Sequence, residues 1–195
     1  MKRIFDIIVS LIILLVFLPF GLVISIIILT SSKGGVFYRQ TRVGVNNVDF
    51  KLLKFRTMKP DSDKLGQLTV GMRDPRITGI GYFLRKYKLD EFPQFINVLL
   101  GQMSIVGPRP EVREYVDYYN EEQRKVLSVK PGITDYASLH YFQENEILGR
   151  AEDPKKTYIE EIMPDKLMLN QKYVEEQSLL VDFKIMWQTF LKIVS

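Results

Sequence analysis

The chain has 195 residues, a formal net charge of +4 and no cysteine. The absence of cysteine excludes a disulfide framework, a thiol nucleophile and a cysteine-ligated metal. One apolar run covers residues 4–29, and the residues after it are enough for one globular domain with its own core. We therefore predict a membrane element over 1–33 and a globular domain over 34–195.

The apolar run carries a proline at its centre and basic residues outside both ends. As one helix it would be longer than a hydrocarbon core of roughly 30 Å needs, but Pro19 removes a backbone hydrogen bond and clashes with the preceding turn. Since Lys and Arg concentrate on cytoplasmic flanks, both ends are predicted to be cytoplasmic, which favours a re-entrant helix broken at Pro19. A kinked spanning helix and a signal peptide are the alternatives. The flanking basic residues are Lys2, Arg3, Lys33, Arg39 and Arg42.

Basic residues cluster directly after the apolar run. Between Lys33 and Lys59 there are seven of them against one acid, Asp49. Next to a membrane element, such a cluster predicts contact with anionic headgroups or with an anionic substrate. No basic helix or RNA-binding signature accompanies it, so nucleic acid is not predicted as a partner.

The next segments predict a hairpin, a loop and two helices. Two stretches rich in β-branched and aromatic residues, 36–43 and 48–56, flank a Gly/Asn turn and predict a β-hairpin. A polar, mobile loop is predicted over 59–80. A helix follows near 81–86, and another runs over 90–101. The apolar face of this second helix consists of Phe92, Phe95, Ile96, Leu99 and Leu100.

The remaining segments are predicted to be mainly helical. A helix over 111–127 follows the break at GPRP, and its apolar stripe is Val112, Tyr115, Val116 and Tyr119. Lys130-Pro131-Gly132 predicts a turn. The segment 166–195 is predicted to be a helix whose broad apolar side packs in the core or, alternatively, lies at a membrane surface. Its polar stripe is Lys184, Gln188 and Lys192. The fold class is therefore mainly α with a short β-hairpin.

The adjacent acids Asp90 and Glu91 are the candidate centre of chemistry. Asp90 is predicted to be the N-cap of the helix that follows, with Pro93 in the first turn. The helix dipole would keep Asp90 ionised and therefore nucleophilic, and would also favour a bound phosphate. Glu91 points about a quarter-turn away, so one carboxylate could attack while the other holds a hard cation. A purely structural helix cap is the alternative for Asp90.

Four basic side chains complete the predicted site. Arg109 is held between two prolines, and its guanidinium matches phosphate oxygens, although an exposed arginine in a turn is the alternative. Lys54 and Arg56 are two residues apart in a predicted strand and so share a face. Arg85 lies shortly before the acid pair. An acid pair among cations is suited to phosphoryl transfer, with Mg²⁺ neutralising the remaining charge.

A rival motif lies in the polar loop. Asp61 and Asp63 form a D-x-D, the spacing that many nucleotide-sugar glycosyltransferases use to hold a metal, and such an enzyme would release UDP. The motif has no supporting nucleotide-binding sheet. The single histidine, His140, belongs to no triad or metal cluster that the sequence supports. The nearby aromatic residues are predicted to be core residues rather than a base-stacking site; they are Tyr136, Tyr141 and Phe142.

Several long motifs resemble those of the monotopic phosphoglycosyltransferases, also called bacterial sugar transferases. The similarity runs nearly end to end. It is most specific at LDEFPQFINVLLGQMSIVGPRPE, residues 89–111, and at KPGIT, residues 130–134. It also includes KRIFDIIVSLIILLVFLPF at 2–20, VFYRQTRVG at 36–44 and FKLLKFRTM at 50–58.

The resemblance implies a re-entrant membrane helix and a cytoplasmic catalytic domain with interfacial amphipathic helices, at the cytoplasmic face of the bacterial inner membrane. It implies transfer of a phosphosugar from a UDP-sugar to polyprenyl (undecaprenyl) phosphate with release of UMP. This would be the first membrane step in assembling a capsule, exopolysaccharide, O-antigen or glycoprotein glycan. Membrane lipids, downstream glycosyltransferases and a second copy in a homodimer are the further partners expected.

The resemblance also implies a role for individual residues. By position, Asp90 would be the nucleophile that forms a covalent aspartyl-phosphosugar, and Glu91 would help Asp90 to hold Mg²⁺. Arg109, with Lys54 and Arg85, would bind phosphate or nucleotide. Polyprenyl phosphate would then attack the aspartyl phosphate in a second, ping-pong step.

The chain departs from the family pattern at a few positions. Leu18 precedes the central proline where many relatives have serine, and Phe92 and Gln102 replace leucine and aspartate. After KPGIT, the segment DYASLHYFQEN over 135–145 replaces the usual continuation, so sugar-binding residues there cannot be carried over. A non-catalytic membrane scaffold is a second rival interpretation.

Overall fold

A computed structural model describes residues 1–62, 66, 68–71 and 74–194. The helices are α1 Lys2–Ser31, α2 Gly79–Lys86, α3 Gln94–Leu99, α4 Arg113–Val116, α5 Tyr136–His140, α6 Glu144–Arg150, α7 Pro154–Thr157, α8 Met163–Glu176 and α9 Leu179–Val194. The strands are β1 Phe37–Val43, β2 Asp49–Phe55, β3 Ser104–Val106 and β4 Gly132–Thr134. Short 3₁₀ turns cover Val45–Asn47, Leu89–Glu91 and Gln123–Ser128, and a π-helical turn covers Tyr158–Ile162. The predicted fold class, mainly α with a short hairpin, is confirmed.

Strands β1 and β2 form the predicted hairpin. They pair antiparallel, with Phe37 opposite Phe55 at the open end. In the turn, Asn46 and Asn47 have φ values of 56° and 62°, a conformation that asparagine tolerates better than most residues. The Gly/Asn turn therefore closes as its sequence predicts.

Strands β3 and β4 form a second, parallel pair that the sequence analysis did not predict. Ser104 lies opposite Gly132, and Val106 lies opposite Thr134. A Cβ atom at Gly132 would lie 2.1 Å from the backbone nitrogen of Gly107, so only glycine allows this close approach. Three-residue strands are too short for hydrophobic periodicity to reveal them.

Helix α1 continues through Pro19. The 30 residues from Lys2 to Ser31 are all helical, contrary to the prediction of two separate arms. The physical reason is that a proline removes only one backbone donor, and a membrane helix can continue past such a loss. By length and composition α1 is able to span a membrane, and 11% of its most apolar window is buried. The re-entrant path and the domain boundary at residue 33 stay predictions.

One side of α1 packs along the globular domain from end to end. Asp6 is buried near the start of the helix, and the Phe17 ring stacks on Phe92 with a centroid distance of 3.9 Å near its middle. Towards the other end, Ile28 is buried in a cluster with Leu84. The remaining sides of α1 expose Ile, Leu, Val and Phe side chains. Both ends of α1 therefore contact the same domain.

Helix α3 buries two polar side chains in addition to part of its predicted apolar face. Gln94 and Asn97 are buried, whereas Leu100, just after the helix, is 66% exposed. The side-chain amide of Asn97 accepts from the Leu53 backbone at 2.9 Å and donates to the Lys51 carbonyl at 2.8 Å. Asn97 thus faces inward and satisfies the backbone of β2, whereas the side-chain amide of Gln94 has no hydrogen-bond partner in the described structure. Of the predicted apolar face, Phe92 and Phe95 pack against buried clusters.

The predicted single helix over 111–127 is wrong. Only α4 and a later 3₁₀ turn are helical, because the side chain of Asn120 accepts from the backbone of Gln123 at 2.8 Å and competes with helical hydrogen bonding. The stripe predicted for this segment is nevertheless buried; it consists of Val112, Tyr115, Val116 and Tyr119.

The C-terminal segment forms two helices, α8 and α9, rather than one. Helix α9 buries Asp182 and Ile185 but exposes Phe183, Trp187 and Phe190 by more than half of their surface. The prediction that the broad apolar side of α9 packs in the core is therefore wrong for most of its apolar residues. An exposed row of aromatic side chains is typical of a helix that lies at a membrane surface.

Candidate active site

Asp90 and Glu91 lie in the 3₁₀ turn Leu89–Glu91. Lys88 starts this turn with a φ of 55°, and Pro93 is the N-cap of α3. Asp90 therefore lies inside the turn, and the predicted N-cap position is wrong. The left-handed conformation of Lys88 explains the difference, because it begins the helical path before Asp90.

Glu91 binds two cations. Nη1 of Arg109 donates to its Oε2 atom at 3.1 Å, Nη2 of Arg109 donates to Oε1, and Nζ of Lys54 lies 3.4 Å from Oε1. Burial on its own would raise the pKa of Glu91, but Arg109 and Lys54 overcome that effect and hold the pKa well below its ordinary value. Glu91 is therefore an ionised carboxylate that holds Arg109 and Lys54 in place.

Asp90 is in the opposite electrostatic situation. Its side chain is 5% exposed, and its Oδ1 atom has no hydrogen-bond partner among the described residues. Burial, and then the charge of Glu91, raise the pKa of Asp90, while Lys54, Arg85 and Lys88 act in the other direction. Burial therefore acts against the ionised form that the helix dipole was predicted to favour, and the ionisation of Asp90 stays a prediction. Two adjacent carboxylates whose pKa values are pushed apart are a common property of catalytic pairs.

Hydrogen bonds to neighbouring segments fix the position of Arg109 next to Glu91. It follows β3, and its backbone N–H donates to Oδ2 of Asp135 at 3.0 Å. Its Nη1 atom also lies 3.3 Å from the Ile133 carbonyl, which belongs to β4. The Coulombic attraction of Glu91 raises the pKa of Arg109, so it stays charged. The structure thus brings the predicted Arg109 and Glu91 together.

Lys54 and Arg85 approach the acid pair from the other side. Burial lowers the pKa of Lys54 to about 8, against the opposing attraction of Glu91. Arg85 projects from α2, where its Nε atom donates to Oγ1 of Thr57 at 3.0 Å and its Nη1 atom to Oγ1 of Thr69 at 3.2 Å. Burial also lowers the pKa of Arg85, and the charge of Asp90 opposes this shift.

Arg56 does not contact the acid pair in this structure. Its Nε atom donates to the Gly35 carbonyl at 3.0 Å and its Nη2 atom to the Phe37 carbonyl at 3.2 Å. Its guanidinium lies 5.8 Å from the centre of the Tyr38 ring. Arg56 therefore braces the start of the hairpin, although it still faces the same cleft as Lys54.

An open cleft lies between the hairpin, α2 and the loop that joins them. Its basic wall consists of Arg42, Lys54, Arg56, Lys59, Arg76 and Arg85. Among the described lining residues, Asp61 is the acid. A cleft with this charge is suited to a polyanion such as a nucleoside diphosphate.

The model of the family described as bacterial sugar transferase matches residues 1–195. The chain belongs to the bacterial sugar transferase family.

Three similar proteins illustrate this family. A UDP-glucose:undecaprenyl-phosphate glucose-1-phosphate transferase of Escherichia coli (strain K12) is 36% identical over 199 residues, which cover 98% of this chain and 40% of that protein. A UDP-N-acetylgalactosamine-undecaprenyl-phosphate N-acetylgalactosaminephosphotransferase of Aeromonas hydrophila is 35% identical over 197 residues, covering 100% of this chain and 44% of that protein. The exopolysaccharide production protein ExoY of Rhizobium meliloti (strain 1021) is 34% identical over 203 residues, covering 96% of this chain and 83% of that protein. The chain therefore spans about two fifths of the first two relatives and most of the third.

Arg76 is a cleft residue of this bacterial sugar transferase that sequence reasoning missed. It forms an ion pair with Asp74, with Nη2 and Oδ2 2.6 Å apart. Its guanidinium also donates to three loop carbonyls, those of Ser62, Gly66 and Leu68. The described part of the loop that was predicted to be mobile is therefore held by hydrogen bonds to one arginine. The Asp-Pro-Arg sequence at 74–76 is a turn signal that could have indicated this arrangement.

The rival D-x-D motif is only partly visible. Asp61 lies on the cleft wall with a φ of 62°, whereas Asp63 lies outside the described residues. His140 is exposed, and its Nε2 atom is 4.0 Å from Asp165. Neither observation assembles a second catalytic centre in the part of the chain that the structure describes.

The aromatic residues of the family-divergent segment have two environments. Tyr141 packs against the core and donates to Oδ2 of Asp165 at 2.7 Å, so the core interpretation holds for it. Tyr136 likewise packs against a buried cluster. Phe142 instead lies under the ammonium of Lys88, 5.2 Å from the ring centre. The divergent segment therefore reaches the residue that starts the acid-pair turn.

Magnesium stays a prediction from the sequence. Among residues 1–62, 66, 68–71 and 74–194, no group of three or more His, Cys, Asp or Glu side chains could hold a metal. Mg²⁺ is often bound by one or two carboxylates together with substrate phosphates and water. The buried Oδ1 atom of Asp90 fits this type of site. Both oxygens of Glu91 already accept from Arg109, so Asp90 is the better of the two predicted ligands.

Proposed function

We propose that this chain transfers a phosphosugar from a UDP-sugar to undecaprenyl phosphate, with release of UMP, through a covalent intermediate on Asp90. The proposal depends most on one observation: Glu91 is held by Arg109 and Lys54, while the adjacent Asp90 keeps a buried oxygen without a partner in the described structure. The names of the relatives support the two substrate classes.

The cationic cleft would bind the diphosphate of the UDP-sugar. Lys54 and Arg85 both line it and both act electrostatically on Asp90. They would therefore bring the anionic substrate to an anionic nucleophile, which otherwise repel each other. Their charge would also favour the ionised form of Asp90 when the substrate is in place. Mg²⁺, held by Asp90 and substrate phosphates, would neutralise further charge.

In the first step, a carboxylate oxygen of Asp90 attacks the phosphorus that bears the sugar. The bond from that phosphorus to the bridging oxygen breaks, and its electron pair leaves with UMP. Glu91 stays ionised, so Arg109 is held at a fixed position beside the reacting phosphate.

In the second step, an oxygen of the lipid phosphate attacks the same phosphorus. The bond to Asp90 breaks, the carboxylate is regenerated, and the product is a lipid-linked diphosphosugar. Downstream glycosyltransferases that accept such lipids are the partners that this product requires.

We propose that α1 enters and leaves the membrane on the cytoplasmic face of the inner membrane. The contacts of both its ends with one domain support a re-entrant path rather than a crossing. The exposed aromatic row of α9 supports a domain that rests on the same surface. The lipid substrate could then reach Asp90 without leaving its leaflet.

The test uses the purified full chain in lipid nanodiscs with UDP-glucose or UDP-N-acetylgalactosamine and Mg²⁺. We expect UMP, not UDP, and a phosphosugar adduct on Asp90 in the absence of lipid acceptor, measured by mass spectrometry. Asp90→Asn should abolish both. Asp61→Asn tests the rival motif without backbone strain, because asparagine tolerates the positive φ at that position, and UMP release should persist in it. Asp117→Asn, the same substitution at an exposed residue, is the matched control and should retain activity. Release of UDP that depends on Asp61 would instead favour the D-x-D glycosyltransferase, and an unimpaired Asp90→Asn variant would refute the nucleophile.

A further inference from the structure

Asp6 is a buried carboxylate near the start of α1, and it holds strand β3. The side chain is 2% exposed. Its Oδ2 atom accepts from the Ser104 hydroxyl at 2.8 Å, and its Oδ1 atom accepts from the Ile105 backbone at 3.2 Å. Both partners belong to β3, which ends three residues before Arg109.

Lys2 holds the last residue of the same strand. Its Nζ atom donates to the Val106 carbonyl at 3.1 Å and to Oδ2 of Asp182 at 2.5 Å. The hydroxyl of Tyr173 lies 3.0 Å from the Val106 carbonyl and 2.7 Å from Oδ1 of Asp182. The Asp182 side chain is 1% exposed and the Lys2 side chain is 34% exposed, so the carboxylate is buried while the ammonium still reaches water.

These contacts replace a missing strand. On one edge, β3 pairs with β4, where the Ser104 N–H donates to the Pro131 carbonyl and the Gly107 N–H donates to Thr134. The other edge would leave backbone groups without partners in a buried place, which is costly. The side chains of Lys2 and Asp6 satisfy them from α1.

Arg3 holds the element that carries the acid pair. Its Nη1 atom donates to the Val98 carbonyl at 2.5 Å and its Nη2 atom to the Leu99 carbonyl at 2.9 Å. These carbonyls lie at the C-terminal end of α3, where helical hydrogen bonding ends. The Val98 carbonyl also accepts from the Gly101 N–H at 2.9 Å. Glu91 lies just before the other end of α3.

We propose that Lys2, Arg3 and Asp6 are positioning residues that set the contact between Glu91 and Arg109. One turn and a half of α1 holds β3 through Lys2 and Asp6 and holds α3 through Arg3. The two segments that supply Arg109 and Glu91 are thereby fixed to one rigid body. The catalytic consequence rests on the function proposed above; the positioning itself does not.

This role differs from that of flanking charges that only select membrane topology. A topology signal needs a positive charge at Lys2 and Arg3, and lysine or arginine would serve equally. A positioning role needs the shape of the guanidinium, because two separate carbonyls accept from Arg3. It also needs a buried hydrogen-bond acceptor at Asp6. An acidic residue contributes little to a topology signal, which depends on Lys and Arg.

The test compares Asp6→Asn and Arg3→Lys with the unmodified chain in nanodiscs, using hydrogen exchange followed by mass spectrometry. We expect amides of 104–110 to exchange about tenfold faster in Asp6→Asn, and those of 94–101 about tenfold faster in Arg3→Lys. Exchange in the hairpin 37–55 should not change, and both variants should stay in the membrane fraction. UMP release should fall about tenfold in each.

The controls are Asp117→Asn and Arg39→Lys, the same substitutions at exposed residues, and both should behave like the unmodified chain. If Arg3→Lys matches Arg39→Lys in exchange, or if the hairpin exchanges faster in both test variants, the positioning role is wrong. Local exchange changes in a chain that releases no UMP from any UDP-sugar would refute the proposed function and keep the positioning role. Normal UMP release in Asp6→Asn with unchanged exchange at 104–110 would refute the positioning role and keep the proposed function.

Discussion

Asp90 and Glu91 are neighbours in the chain, yet their surroundings shift their pKa values in opposite directions. Burial and the charge of Glu91 raise the pKa of Asp90. Burial would raise that of Glu91 too, but Arg109 and Lys54 lower it further than burial raises it. One carboxylate is therefore committed to binding cations, and the other keeps an oxygen for substrate or metal.

Lys54 predicts an alkaline limb in the pH profile. Its pKa is about 8, so above that pH it loses the charge that attracts substrate phosphate. We expect kcat/KM for UMP release to fall with a midpoint near pH 8, and Lys54→Arg to move that limb upward by about one unit or more, because arginine stays charged. Lys51→Arg, on the same strand but exposed, is the control. A limb that stays in place in Lys54→Arg would show that another group titrates.

Glu91 predicts the position of the acid limb. Protonation of Asp90 removes the nucleophile, so activity should fall as pH drops through the pKa of Asp90. In Glu91→Gln the like charge is lost, the pKa of Asp90 decreases, and the acid limb should move to lower pH. The rate at neutral pH should fall by about 100-fold, since Arg109 is no longer held. The pH profile of adduct formation measures both effects, and an acid limb that moves upward would contradict this account.

The identity of the site residues could be predicted better than their pKa values and their backbone conformations. Glu91 and Arg109 were both identified from residue chemistry, and the structure brings them together. The raised pKa of Asp90 depends on burial by distant segments, which no local pattern reports. Lys88 has a positive φ that is unusual for lysine, so its role in starting the turn was not visible in the sequence.

At the scale of elements, the close contact of β3 and β4 predicts a sensitive glycine. A Cβ atom at Gly107 would lie 2.4 Å from the Lys130 carbonyl oxygen, and backbone cannot move aside as a flexible side chain does. Gly107→Ala should lower the free energy of unfolding by about 1–3 kcal/mol and displace the loop that carries Arg109. Thermal unfolding measures the first effect and UMP release the second.

Gly79→Ala is the control for this prediction. Gly79 begins α2, and a Cβ atom there would meet nothing within 4 Å in the described structure. Alanine favours a helix over glycine by up to about 1 kcal/mol, so this variant should be neutral or slightly stabilised. Equal stability of Gly107→Ala and Gly79→Ala would contradict the close-contact argument.

Elements that depend on local turn or capping residues could be predicted from the sequence. Features that depend on contacts with distant segments could not. The hairpin follows from a Gly/Asn turn, and Thr78 caps α2 by accepting from the Gly81 backbone. The burial of Asn97 in α3 was not predicted, because the rule assigns polar side chains to the side of a helix that faces water. Here Asn97 satisfies a strand edge inside, and Leu100 lies on the outer surface.

At the scale of the whole molecule, α1 and α9 expose their apolar surfaces while the cationic cleft stays polar. Trp187 and Phe190 stack with ring centres 5.8 Å apart on the exposed side of α9. Large exposed apolar patches mark interaction or membrane surfaces. The combination suits an enzyme that takes one substrate from water and the other from a bilayer.

The path of α1 predicts a labelling pattern. The chain has no cysteine, so a single cysteine at Lys33 or in a short N-terminal extension reports one end of α1 each. If both ends contact the same domain on one side, a membrane-impermeant maleimide should label both in inverted vesicles and neither in intact cells. Labelling of one end from each side would show that α1 crosses the membrane.

The inward side of α1 fixes the helical phase of the anchor. Arg3 and Ser10 lie on that side in the first half, and Phe17 and Ile28 lie on it in the second. Inserting one residue between Ser10 and Phe17 would rotate one half against the other by about 100°, so the two halves could not dock together. A generic hydrophobic segment of equal length is therefore not interchangeable with α1, and a chimaera must preserve its rotational register.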